Sequence, residues 1–352
     1  MKRTNKPESL STQMKRKITN PTIKKLELDG NFDIMTSTGS TQLNLAISGN
    51  RIRGGGLPGG ILIEGFGPSQ SGKTTVLCEI GGNAQRKGGD AQFHDPEARL
   101  DKQYFALYGI DIEPENYYQP DTVTEIFKNV RKWEPNASKK KVVNVVLADS
   151  LAALSTDMEM DNDDGDKMGM RRAKEFSEQL RKTCRVLKQK NLLLVCSNQV
   201  RVNTDAVGKF SPKYSTPGGE AIKFYSSVRI KFDNPKKIYK EIKHAGKLIK
   251  KVIGVTVQIE VVKTVDKPFR KAPVTIIFDY GIDNIRDNLQ YIKDFTKNTT
   301  YCVRDKNLGT SMEEAIRKVE SLELEKVLED EVIDLWELID SKFESNRKPK
   351  KR

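Results

Sequence analysis

Apolar residues along this chain cluster in short runs, separated by polar stretches with helical spacing. The regular pattern starts after a segment dense in glycine and proline, Gly54-Gly55-Gly56-Leu57-Pro58-Gly59-Gly60. Such a segment breaks regular structure, so a strand is expected just beyond it, over Ile61–Glu64. Strands and helices then alternate. A helix is expected over Lys73–Lys87, a short strand over Ala91–His94 and a helix over Thr122–Lys132. Val142–Ala148 is a continuous apolar run, the pattern of a strand buried on both faces of a parallel sheet. Met170–Lys190 reads as a long amphipathic helix and Leu192–Ser197 as the next buried strand. After Ser226 strands follow one another without helices, at Val228–Phe232, Gly254–Val262 and Val274–Phe278. The last 60 residues look helical, above all Ser311–Phe343, and predict a small separate unit. Residues 1–45 are polar with weak apolar periodicity, and a helix is expected there only around Ser9–Lys17. No internal repeat is evident. The expected class is α/β, with a mixed, mostly parallel central sheet flanked by helices and small terminal appendages.

Composition narrows the function. The chain has 352 residues, 36% hydrophobic and 31% charged, enough apolar content for a packed core and too much for a disordered chain. No apolar run reaches the roughly 18 residues of a membrane span, and the basic N-terminus lacks the apolar stretch of a secretory signal. No membrane association is expected. The four cysteines (Cys78, Cys184, Cys196, Cys302) include no C-x-x-C pair, and His94 and His244 are the sole histidines. Zinc fingers, disulfide frameworks and histidine-dependent hydrolases are thereby disfavoured, and a reducing, cytoplasmic compartment is expected.

The net charge of +13 sits mostly at the ends. Residues 1–25 carry eight Lys/Arg against Glu8, and the last eight residues carry five. Basic tails attract polyanions through counterion release, although solubilising ends would look the same. Within the body, Asp157–Asp166 holds six acids and no base, Arg171–Lys190 eight bases against two acids, and Lys236–Lys251 seven lysines against one glutamate. Such blocks are usually solvated faces.

The sharpest chemistry is Gly67-Pro68-Ser69-Gln70-Ser71-Gly72-Lys73-Thr74, which fits G-x-x-x-x-G-K-[ST] between an expected strand and an expected helix. In that context the backbone amides turn inward around a phosphate at a helix N-terminus. Lys73 would reach the β- and γ-phosphates of ATP, and the Thr74 hydroxyl would ligate Mg²⁺. Val145-Val146-Leu147-Ala148-Asp149 carries an acid to the C-terminal end of a strand, where Asp149 can serve the metal's outer shell. Hydrolysis also needs a group to orient water; Glu97 and Asp95 compete for that role on spacing alone. Gln199, at the end of the Leu192–Ser197 strand, is placed to hydrogen-bond a γ-phosphate.

Taken in order, these elements resemble the RecA family of strand-exchange recombinases from about Thr36 to Asp283. The likeness is carried by Ser37-Thr38-Gly39, Gly55-Gly56-Leu57-Pro58-Gly59, GPSQSGKTT (67–75), Asp95–Asp101, LADSLAAL (147–154), MGMRR (168–172), SNQVR (197–201), GGEAIKFYSSVRI (218–230), VVK (261–263) and Pro268-Phe269. It implies a RecA-like P-loop ATPase that forms homo-oligomeric helical filaments on single-stranded DNA and exchanges strands with homologous duplex DNA, with ATP held between protomers. Under the resemblance Glu97 is the water-activating carboxylate and Gln199 the γ-phosphate sensor. Thr75 completes the phosphate loop, while Asp101, Tyr104 and Phe278 surround the base. Lys223, Phe224, Arg229, Lys263 and Lys267 belong to the contact between protomers. Two DNA-binding loops are implied, about 157–172 and 201–218. Met168, Gly169, Arg171 and Arg172 are the DNA candidates in the first. Arg201, Val202, Phe210, Gly218 and Gly219 are those in or beside the second.

The resemblance divides the chain into a basic N-terminal segment (1–35), an ATPase core (36–289) and a C-terminal helical unit with a basic tail (290–352). Four features depart from the family. The first loop is acidic, the N-terminal segment is weakly recognisable, and the tail is basic where bacterial relatives are acidic. Val265 stands where the family carries a second lysine beyond Lys263, which leaves Lys267 as the candidate substitute. The rival readings are a RecA-fold ATPase of another kind, such as a ring helicase or regulatory ATPase, and a DNA-binding filament protein with little turnover.

Overall fold

The computed structural model describes residues 34–135, 141–157, 168–202, 214–264, 266–345 and 347, and side chains are described except at 168–171, 201–202 and 214–215. All of these residues belong to the compact unit Asn31–Arg352. The helix expected at Ser9–Lys17, most of the acidic block, and Phe210 lie outside the described residues.

The chain enters through β1 (Met35–Thr36), α1 (Thr41–Ser48) and β2 (Leu57–Pro58), and β1 pairs antiparallel with β2. The core then alternates: β3 (Leu62–Gly67), α2 (Lys73–Arg86), β4 (Ala91–His94), α3 (Lys102–Leu107), β5 (Tyr117–Tyr118), α4 (Val123–Lys132), β6 (Asn144–Ala148), α5 (Met168–Lys190) and β7 (Leu192–Gln199). A short ladder of β8 (Arg201–Val202) with β9 (Tyr214–Ser215) precedes α6 (Gly219–Tyr225). Then come β10 (Val228–Phe232), β11 (Lys236–His244), β12 (Lys247–Lys263), β13 (Arg270–Ile277) and β14 (Gly281–Ile282). The large sheet runs β14-β13-β12-β10-β3-β7-β6-β4-β5, with β11 on β12. From β10 to β5 every pairing is parallel, and beyond β10 every pairing is antiparallel. This is the mixed, mostly parallel sheet expected from the sequence.

Both faces of the sheet are covered, which is why β6 and β7 read as unbroken apolar runs. One face packs Val145, Leu147, Leu193 and Val195 against Val76, Leu77 and Ile80 of α2. The other packs Val146, Leu194 and Cys196 against Ile126 and Phe127 of α4 and Phe176 and Leu180 of α5. The four parallel strands β3, β4, β6 and β7 bring their carboxyl ends to one edge, where ligands of such sheets bind.

Helix α1 and strand β11 are among the elements that the sequence pattern did not predict. Helix α1 was not foreseen because half its residues are polar, yet all eight are buried. Asn44 accepts from the Thr38 amide at 2.8 Å, Ser48 donates to the Gly56 carbonyl at 2.7 Å, and Gln42 donates to the Asp287 carbonyl at 2.8 Å. Their polar groups are satisfied inside the protein, so polarity did not mean exposure. Strand β11 was hidden for the opposite reason. It forms a hairpin with β12 through Ala245-Gly246, both at positive φ (48° and 80°), as a two-residue primed turn requires. Eight of its nine residues are exposed, so no face alternates with a core. Lys240 stands directly opposite Lys251, a like-charge pair the ladder must tolerate.

Past β14, α7 (Asn284–Phe295), the hairpin of β15 (Tyr301–Val303) and β16 (Lys306–Gly309), α8 (Met312–Ser321) and α9 (Glu325–Ser341) form a core of their own. Leu289, Val303, Val319, Leu328 and Val332 fill it, joined by Leu45 from α1. Helix α7 runs straight through residue 290. The stretch Ser311–Phe343, expected to be helical, forms two helices separated at Leu322–Leu324, where Glu323 takes φ 52°. Residues 301–309, also in the stretch expected to look helical, form the hairpin instead.

Candidate functional site

The turn Pro68–Gly72 joins the end of β3 to the start of α2. Gly72 takes φ +83°, and a Cβ there would come within 2.3 Å of the Ile276 Cδ1. The left-handed backbone favours glycine here, and a Cβ would also have to displace the tip of the Ile276 side chain. Helix α2 has no acid in its first turn, which leaves its positive end open to an anion. The Ser71 hydroxyl donates to the Pro68 carbonyl at 2.8 Å and closes the turn. Lys73 is buried and its Nζ donates to the carbonyls of Pro68 (2.6 Å) and Gly67 (3.2 Å). Burial pulls its pKa down, while Asp149 and Glu97 oppose that and favour the charged form.

Asp149 follows β6 and accepts hydrogen bonds from the hydroxyls of Thr74 and Ser197. Burial raises its pKa above the ordinary carboxylate value, and the two hydroxyls work against that shift. A hydroxyl on α2 and a carboxylate on β6 thus meet at one point. Oxygen donors of this kind, completed by phosphate oxygens and water, suit Mg²⁺.

Spacing alone left Asp95 and Glu97 in competition, and the resemblance favoured Glu97; the two carboxylates have different surroundings. Asp95 is buried, and its Oδ2 accepts from the Arg99 amide (2.8 Å), the Leu100 amide (2.9 Å) and the Tyr117 hydroxyl (2.8 Å). It holds the loop in shape. Glu97 instead accepts from the Ser150 hydroxyl at 2.9 Å and pairs with Arg99 at 2.5 Å. Ser69, Lys73, Thr74, Glu97, Asp149 and Gln199 line one cavity of about 230 Å³, with Asp95, Arg99 and Ser150. Ser150, Ser197 and Arg99 were not singled out from the sequence. Ser197 could have been, since it stands beside Asn198-Gln199 at the end of an apolar strand.

A second cavity, about 400 Å³, lies on the other side of the same turn. Its walls are Gln70–Thr75, Tyr104, Ile276 and Phe278, closed by Pro235 and Lys237 at the root of β11 and Val252 and Val255 of β12. Tyr104 and Phe278 offer the aromatic surface that a base stacks on. Asp101 is exposed and caps α3, accepting from the Tyr104 amide at 2.8 Å. It fixes where Tyr104 starts rather than lining this cavity.

The remaining candidates divide. Phe224 is 77% exposed on α6, open for a contact. Lys223 is paired with Glu220. Lys263 donates to the carbonyls of Lys223 (2.8 Å) and Phe224 (3.0 Å), at the negative end of α6. Lys267 pairs with Asp340 of α9 at 3.1 Å. Arg229 points inward: its Nε donates to the wholly buried Glu64 at 2.6 Å, and its guanidinium lies 4.4 Å from the Phe66 ring centre. Glu64 also accepts from Asn198 at 3.0 Å, and Asn198 donates to the Pro217 carbonyl at 2.9 Å. Arg172 donates to the carbonyls of Leu151 and Ala152, both at 3.3 Å. Met168, Gly169 and Arg171 open α5, Arg201 and Val202 form β8, and Gly218 and Gly219 begin α6.

No helix among the described residues is long and apolar enough to cross a membrane. The sequence profile of the RecA N-terminal domain matches residues 8–283. Protein RecA from Thermus thermophilus is 35% identical over 254 residues, covering 71% of this chain and 68% of the relative. Protein RecA from Thermus aquaticus matches to the same extent.

Proposed function

The chain belongs to the RecA family of homologous recombination and repair proteins, and on that premise we propose that it binds ATP with Mg²⁺, assembles as a helical filament on single-stranded DNA and exchanges that strand into homologous duplex. DNA-dependent ATP hydrolysis is a property of the family, and in this chain hydrolysis would be coupled to strand exchange. The α2 N-terminus and Lys73 would hold the phosphates, and Thr74 and Asp149 the metal, whose charge would offset that building on the phosphate oxygens. Glu97, steadied by Ser150, would orient or deprotonate the attacking water. Tyr104 and Phe278 would flank the base. Met168, Gly169, Arg171 and Arg201 would face DNA phosphate and sugar.

One observation carries the reading. Gln199 lines the cavity that holds Lys73, Thr74, Asp149 and Glu97. Its neighbour Asn198 ties Glu64 to Pro217, near the end of the 201–218 segment. A change at the phosphate end of β7 therefore acts on a strand whose continuation is the second DNA loop. ATP would switch filament grip, and base pairing would read sequence.

The test is ATP hydrolysis with and without single-stranded DNA, with Lys73→Ala and Glu97→Ala as controls, followed by joint-molecule formation with homologous duplex. Stimulated turnover, loss in both variants, and joint molecules are expected. Rings in place of filaments would favour a helicase-like ATPase. One observation favours the low-turnover alternative: Lys263 and Lys267 are both engaged within their own protomer. Filaments that form joint molecules while hydrolysing almost no ATP would decide for it.

A further inference from the structure

Arg99 stands in the catalytic cavity without a role in the scheme above. Its Nη1 lies 2.5 Å from the Glu97 Oε2, and the Arg99 side chain is 73% exposed while that of Glu97 is 14% exposed. The other carboxylate oxygen, Oε1, accepts from Ser150 at 2.9 Å. Glu97 is thus held on two sides, by a buried hydroxyl and by a solvated cation. The Arg99 backbone is pinned, its amide bound to Asp95 at 2.8 Å after a turn in which Ala98 takes φ 50°. Its root is fixed and its long side chain is free to swing.

The two ends of this arrangement differ in strength. An ion pair with one partner so exposed is weakly held, because water screens it and the side chain retains its freedom. A guanidinium binds phosphate oxygens through a planar fork, so a terminal phosphate is a strong competitor for it. The cavity is lined by three carboxylates, Asp95, Glu97 and Asp149, against two cations, Lys73 and Arg99. Lys73 is buried and anchored to carbonyls of the turn, which leaves Arg99 as the lining cation able to move among the described residues.

We propose that Arg99 shields Glu97 and trades it for the terminal phosphate of ATP, so that the residue selects triphosphate over diphosphate and uncovers one oxygen of Glu97 as it does so. Ser150 keeps the carboxylate aimed while Arg99 leaves. The proposal rests on the nucleotide site described above and adds a device for telling the two nucleotides apart.

Equilibrium binding tests it without turnover. The full chain with Mg²⁺ is titrated calorimetrically with ADP and with the slowly hydrolysed ATPγS, as wild type, Arg99→Ala and Arg99→Lys. Arg99→Ala should weaken ATPγS about tenfold and ADP less than about twofold, the loss of one charge-assisted contact. Arg99→Lys, which keeps charge without the fork, should fall between. Unchanged melting temperatures would be consistent with the exposure of the side chain. Equal losses for the two nucleotides, or none, would overturn the proposal. Wild-type chain that binds neither nucleotide would overturn the nucleotide site itself, and the Arg99 reading with it.

Discussion

Replacing Glu64 by alanine isolates the arginine on which two parts of the site converge. Glu64 is wholly buried on β3, and Arg229, on the adjoining β10, has a side chain 12% exposed. Removing the carboxylate leaves a nearly buried guanidinium facing the Phe66 ring, at 4.4 Å from its centre. Breaking a buried pair from one side costs about 3–5 kcal/mol, because the surviving charge has lost its partner but not its desolvation. The Phe66 contact and the slight exposure of Arg229 argue for the lower end. Unfolding entropy of about 2 cal/mol/K per residue, over roughly 320 residues, turns 3–4 kcal/mol into a drop of about 5–6 °C in melting temperature. The double variant Glu64→Leu, Arg229→Met removes both charges and should recover most of that loss. It should still fail in one respect. Asn198 Nδ2 loses its anchor on β3 and keeps the Pro217 carbonyl, so DNA should stimulate ATP hydrolysis less in this stable variant than in wild type. Calorimetry and paired turnover measurements with and without DNA read both effects. If Glu64→Ala melts within 1 °C of wild type, or the double variant melts no higher than Glu64→Ala, the buried pair is not what holds these strands.

Three further outcomes are expected. Gly72→Ala should destabilise the protein by roughly 1–3 kcal/mol through its positive φ and its collision with Ile276, and should abolish nucleotide binding; Ile276→Ala in the same chain should relieve the collision but not the strain, so calorimetric titration should recover only part of the affinity. Asp287 is buried against the Thr275 amide, which it accepts at 2.8 Å, and burial raises its pKa from 3.8 to about 7; its contribution is therefore whole below pH 4 and is lost as pH rises through about 7, at most about 4 kcal/mol, and thermal melts should fall over that window in wild type by more than in Asp287→Asn. Asp101→Ser should preserve both the α3 cap and nucleotide affinity, whereas Asp101→Ala should cost about 1 kcal/mol in stability and loosen Tyr104; loss of affinity in the serine variant, with stability unchanged, would instead identify Asp101 as a direct base contact.

The two halves of the candidate site differ in how visible they were from sequence. The phosphate turn and Asp149 were legible because their chemistry is local: glycine spacing, a following helix and an apolar strand leading to an acid all lie within a few residues. Distinguishing Asp95 from Glu97 was not possible that way. What commits Asp95 to structure includes the hydroxyl of Tyr117, 22 residues further on, and what leaves Glu97 facing the cavity includes Ser150 on a different strand end. Fold legibility follows the same division. Strands covered on both faces announce themselves as apolar runs, whereas β11 has no covered face and α1 buries polar groups that are satisfied only after folding.

The same distinction bears on how residues carried over from relatives should be read. Arg229, Lys263 and Lys267 match motif positions, but each is engaged inside its own protomer: Arg229 by Glu64, Lys263 by the end of α6, Lys267 by Asp340. These engagements differ in strength. The Lys267 side chain is 54% exposed and its pair is worth under about 1 kcal/mol, so a neighbouring phosphate could claim it at little cost. Arg229 could be drawn out only by uncovering a buried carboxylate, at several kcal/mol. If protomers share the nucleotide, Lys267 can change partners during assembly, while Arg229 acts where it already stands, by fixing β10 to β3 beneath the phosphate turn.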